Sequence, residues 1–176
     1  MLSFARRALP LAAALALTVS LTACFRPLHG PTASGAELSS VLASIDVDEV
    51  AVPPLYERFS HYLRSELVFD LNGSGQQAQK RYKLQLAFSG NVGTPLVDTT
   101  TGRAQSATLN GSVTYTLVTA TGEVVTRGKV TAAASYDRNV QRFASLRAGR
   151  DAEIRLARTL ADMIRTRVSA ELATRA

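Results

Sequence analysis

The spacing of apolar positions changes several times along the chain, and each change marks an element. From Ala8 to Leu21 the run is mostly Ala and Leu and has no amphipathic period. From Ile45 to Val52 the residues alternate, with Ile45, Val47 and Glu49 on one side and Asp46, Asp48 and Val50 on the other. That period of two predicts a short acidic strand, ended by Pro53-Pro54. Leu55, Phe59, Tyr62, Leu63, Leu67 and Leu71 then recur at steps of three and four, which predicts a helix over 55–71. Arg58, His61, Arg64 and Ser65 fall opposite, while Glu66 and Asp70 intrude at the edge of the apolar arc. Asn72-Gly73-Ser74-Gly75 offers a left-handed stop.

Period two returns with Tyr82, Leu84, Leu86 and Phe88, alternating with Lys83, Gln85 and Ala87. A Thr-, Gly- and Pro-bearing loop is expected over 91–102. Leu109, Val113, Tyr115 and Leu117 share one face of a third strand whose other face holds Thr108, Asn110, Ser112, Thr114 and Thr116. Ala120-Thr121-Gly122 turns the chain into a hairpin, and Val124, Val130, Ala132 and Tyr136 carry the inner face onward. Arg127, Lys129 and Thr131 point outward. A last helix is expected over 146–172. Ile154, Ala157, Leu160, Ala161, Ile164, Val168 and Leu172 form its broad apolar face, with Leu156 and Met163 at the margin. Asp151 with Arg155, and Arg158 with Asp162, stand at pairing distance four apart. The order predicts an α+β fold: a two-layer sandwich, two helices packed on one face of a four-stranded mixed sheet, β-α-β-β-β-α.

The leader changes the picture of what this domain is attached to. Arg6 and Arg7 precede the apolar run, and Thr22-Ala23 supplies small residues before Cys24, the only cysteine. Leu21-Thr22-Ala23-Cys24 resembles a bacterial lipobox. The resemblance implies cleavage after Ala23 and a covalent lipid on Cys24, with no other cofactor. Phe25 stands where an Asp would suggest retention at the inner membrane, which favours the outer membrane. The expected organisation is a removed signal peptide over 1–23, a lipidated tether over 24–43 and one domain over 44–176. A lone cysteine excludes an intrachain disulfide.

Charge adds one asymmetry. Once Arg6 and Arg7 leave, 18 cationic residues face 14 acidic ones, a net +4. Residues 138–176 carry nine Arg and four acids and account for the excess. A basic surface suits nucleic acid, anionic lipid or acidic glycolipid, and the periplasmic address argues against nucleic acid. The chemistry of catalysis does not assemble. His29 and His61 have no second His or Cys at ligand spacing, so no metal site is expected. Gly73-Ser-Gly75-Gln-Gln-Ala78 matches a dinucleotide fingerprint in letters but follows a helix, not a strand. No Gly-x-Ser-x-Gly elbow occurs, and no enzyme is expected.

Taken in order, Cys24-Phe25-Arg26-Pro-Leu-His-Gly, "RSELVFDL", "YKLQLAF", "VTYTLVTATGEVVTRGKV", "AAASYD" and "DAEIRLARTLADMIRTRV" resemble the LPS-assembly lipoprotein family, LptE, in its alphaproteobacterial form. The resemblance implies a lipid-anchored protein on the periplasmic side of the outer membrane. It would plug the lumen of the LptD β-barrel one to one, support its assembly and bind lipopolysaccharide in transit. It implies no catalysis. On that footing Arg103 in the inter-strand loop, then Arg127 and Lys129 on the outward strand face, are the cations expected to meet lipid A phosphates. Solvation of the surface is the competing reading for each. An auxiliary lipoprotein subunit of an envelope lipid transporter is the alternative; the Thr-Gly hairpin and "AAASYD" fit it less well.

Overall fold

Each period-two stretch forms a strand in the computed structural model, which describes residues 32, 35–73, 78–94, 97, 100, 102–138 and 140–175. β1 (Ile45–Ala51), β2 (Tyr82–Gly93), β3 (Ser106–Thr119) and β4 (Val124–Asp137) make one open sheet in chain order. β1 runs parallel to β2, because a helix carries the chain back between them; the other two pairings are antiparallel. The helices are α1 (Leu38–Ala43), α2 (Glu57–Asn72) and α3 (Arg142–Arg175), and a 3-10 turn at Pro54–Tyr56 leads into α2. α2 packs over β1, α3 over β3 and β4, and the two helices touch. The α+β sandwich with a mixed four-stranded sheet is therefore the one the pattern predicts.

The core lies between the layers. Leu84, Leu86, Phe88, Leu109, Val113, Tyr115, Leu117 and Val130 meet Phe59, Leu63 and Leu67 of α2 and Leu160, Ile164 and Val168 of α3, all buried. Phe59 lies over Phe88 with ring centroids 4.2 Å apart. Gly111 explains how closely α3 sits on β3. A Cβ there would come within 2.9 Å of both Leu156 Cδ2 and Phe88 Cε2. Gly122, at φ +89°, supplies the left-handed position of the β3–β4 turn.

Several expectations need correction. The tether predicted over 24–43 contains a helix in its last six residues, with Leu38, Val41 and Leu42 buried in the core. Their i, i+3, i+4 spacing is helical, but the Pro, Ser and Gly just upstream hide it; Cys24 and His29 lie outside the described residues. Leu55 is 85% exposed because it sits in the 3-10 turn, before the helical phase of α2 begins. β2 continues to Gly93, into the expected loop, since β3 pairs with it as far as Thr108. Val124 is 46% exposed rather than inward. A register shift between Leu117 and Val118 puts one extra residue in β4 and reverses its side-chain phase there. In α3, Leu156 is buried and Ile154 only half-buried. A 34-residue helix, about 51 Å long, passes over β3, β4, α2 and α1, so no single stripe faces the core throughout.

Candidate functional site

The outward face of the sheet is dominated by small polar side chains, with Lys83, Arg127 and Lys129 among them. Gln85, Ser89 and Asn91 of β2, Thr108, Asn110, Ser112, Thr114 and Thr116 of β3, and Thr131 and Ser135 of β4 point away from the helices. They alternate with the buried residues because strand side chains alternate faces. Thr108 and Ser135 link across the strands, Oγ1 to Oγ at 2.8 Å. Lys83 binds Asp48 at 3.1 Å near the β1 edge. The small side chains leave a shallow concavity of about 600 Å³ over Ser89, Asn91, Asn110, Ser112, Thr131 and Ala133. Among the described residues no element covers this face.

The three cations expected to meet phosphate do not converge. Arg127 and Lys129 are exposed on the outward face of β4, opposite Thr116 and Thr114. The Lys129 carbonyl accepts a hydrogen bond from Arg167 Nη1 at 2.7 Å, while its side chain stays in solvent. Arg103 is exposed in the β2–β3 connection, just before the strand residue that pairs with Asp137. Asp137 and Lys129 are eight residues apart on β4, about 27 Å of extended chain. His61 is exposed on α2, and among the described residues no three His, Cys, Asp or Glu side chains gather as metal ligands.

The acidic residues at the edge of the apolar arc of α2 acquire roles. Glu66 receives Arg158 Nε at 2.9 Å, so Arg158 bridges the two helices instead of pairing with Asp162. The expected Asp151–Arg155 pair does form, at 2.8 Å. Burial pushes the Asp70 carboxyl above its ordinary value; Arg165 opposes this, while Glu66 and Asp162 add to it.

The basic C-terminal segment is not a uniform solvated face. Arg155 Nη2 donates to the Ser135 carbonyl at 2.9 Å and Arg167 Nη1 to that of Lys129, so α3 arginines occupy backbone acceptors of the sheet-edge strand β4. Arg175 binds Glu171 at 2.6 Å. Arg138, Arg142, Arg147 and Arg150, around the start of α3, have no acidic partner among the described residues. Spacing along the helix could not separate these two groups, because the partners of the first lie on β4 and α2.

Comparison with known proteins gives two kinds of match. Residues 42–168 match the family model described as LptE, lipopolysaccharide-assembly. The fold is similar to a solved candidate lipoprotein from Caulobacter crescentus, at 26% identity and a TM-score of 0.60, covering 77% of this chain and 96% of that one. It is also similar, too distantly to carry an argument, to the rare lipoprotein B from Shewanella oneidensis, at 15% identity and a TM-score of 0.48, covering 71% and 95%. No curated protein matches significantly.

Proposed function

Because the chain belongs to the LptE, lipopolysaccharide-assembly family, we propose that it is an outer-membrane lipoprotein that plugs an LptD-type β-barrel. In this reading Cys24 carries the lipid anchor on the periplasmic side, the domain supports barrel assembly, and it binds lipopolysaccharide on its way to the cell surface. The work is done by binding and shape, with no bond made or broken by the protein.

One observation supports the plug most directly. The sheet presents a face of Thr, Ser, Asn and Gln that no described element covers. Large outer-membrane barrels have polar, water-lined interiors, and short hydroxyl and amide side chains can donate to and accept from such a wall without burying unpaired charge. Among the described residues no helix is long and apolar enough to cross a membrane, and the reading does not require one. Arg127 and Lys129 stand on the same face and would meet acidic groups of the lumen or of the passing glycolipid.

The test is a bulky substitution on that face. Thr114 is exposed at the middle of β3, so Thr114→Trp should leave the melting temperature within a degree or two of the parent. It should lower the amount of assembled barrel in the outer membrane. Normal barrel levels with the variant present would remove the outward face from the contact.

A further inference from the structure

We propose that a cleft at the start of α3 binds the phosphate group of an amphiphile. The cleft lies between the first turns of α2 and α3 and the end of β4, has a volume of about 360 Å³, and is lined by Arg58, Arg138, Arg142 and Arg150. That volume falls within the range of ligand pockets. Glu153 is the one acid lining it, and Arg58 already holds it through both oxygens, at 2.7 and 2.8 Å. Four arginines against one glutamate leave a formal +3. Arg138, Arg142 and Arg150 are exposed and have no acidic partner among the described residues. Such a cluster repels itself unless an anion enters, and guanidinium forks match phosphate oxygens two at a time. The first turn of α3 carries no acidic side chain, so its positive dipole end adds to the field of the arginines.

The second half of the argument is apolar. Leu146 lines the same cleft and is 51% exposed; Phe143 and Val140 beside it are 71% and 83% exposed. The Arg147 guanidinium stands 5.8 Å from the centroid of the Phe143 ring. Large apolar side chains left in water next to unpaired cations suit a ligand that is itself divided into phosphate and hydrocarbon. An acidic peptide would engage the arginines but has less use for Phe143 and Val140. Arg103, Arg127 and Lys129 do not line this cleft. The inference rests on the lipopolysaccharide reading only for the physiological source of the phosphate.

The experiment uses the full lipidated chain in a neutral detergent and measures affinity for four probes. These are detergent-dispersed lipid A, the same lipid A after phosphatase treatment, phosphatidic acid in phosphatidylcholine vesicles, and a polyglutamate peptide. The expected result is binding of the phosphorylated amphiphiles about tenfold or more tighter than of dephosphorylated lipid A or the peptide. The double variant Arg138→Gln/Arg142→Gln should lose about that factor, whereas Arg64→Gln/Arg81→Gln, which removes two exposed arginines outside the cleft, should keep it. Binding of phosphatidic acid but not of lipid A would uphold the cleft and count against the lipopolysaccharide reading. Equal binding of phosphorylated and dephosphorylated lipid A, equal binding of the peptide, or an unaffected double variant would each overturn the proposal.

Discussion

At the scale of single residues, the two acids at the edge of the α2 apolar arc separate cleanly. Glu66 is ion-paired with Arg158, whereas Asp70 is held by burial above its ordinary pKa of 3.8. A raised carboxylate value means that the fold favours the neutral acid. The associated stability is complete below the ordinary value and is lost as pH rises through the raised one. At neutral pH the ionised Asp70 therefore works against the fold, and Asp70→Asn should raise the melting temperature at pH 7 while changing little near pH 3. A lower melting temperature at pH 7 would show that Arg165 outweighs burial. Leu160 tests the core in the opposite sense. It is fully buried and its Cδ1 would lie 3.3 Å from a Cβ at position 111. Leu160→Ala should cost about 2–5 kcal/mol in chemical denaturation; a loss below 1 kcal/mol would mean that the α3–β3 contact collapses around the gap.

At the scale of elements, the period of the apolar pattern was enough to place four strands and two long helices in order. What it missed has local causes. A one-residue bulge in β4 inverts Val124, and no pattern of apolar residues announces a bulge. The six-residue α1 was lost behind the prolines and glycines upstream of it, though Leu38, Val41 and Leu42 carry helical spacing. The buried arc of α3 drifts from Ala152 and Leu156 near its start to Ser169 and Leu172 near its end, which a single helical wheel averages away. Ion pairs were legible only within one helix, as for Asp151 and Arg155. Arg158–Glu66 and Arg58–Glu153 join α3 to α2, and cross-element partners become visible only when the chain is folded. These exposed pairs are worth a fraction of a kcal/mol each, so they orient the helices more than they hold them.

At the scale of the whole molecule, the fold divides its surfaces by chemistry. Helices cover one face of the sheet; the other is mostly small polar side chains, with Arg127 and Lys129 among them; arginines without an acidic partner among the described residues meet exposed apolar residues around the start of α3. The polar plane could be read from the alternation in β2 and β3, because a strand buried on one side declares its other side. The arginine cleft could not, since Arg58 lies some 80 residues before Arg138 and only the packing of α2 beside α3 brings them together. Arg103, Arg127 and Lys129 were legible as exposed cations, but Arg103 lies before the end of β3 that pairs with Asp137, whereas Lys129 pairs with Thr114 in mid-strand. Family membership assigns the chain to lipopolysaccharide assembly, and the polar plane is the surface with which it would fill a barrel.

The most direct measurement is a pull-down of the tagged full chain from detergent-solubilised outer membrane, with partners identified by mass. A large β-barrel recovered at one copy per chain is the predicted result. Recovery of lipid-transporter subunits in its place, or of no stoichiometric partner, would contradict the plug.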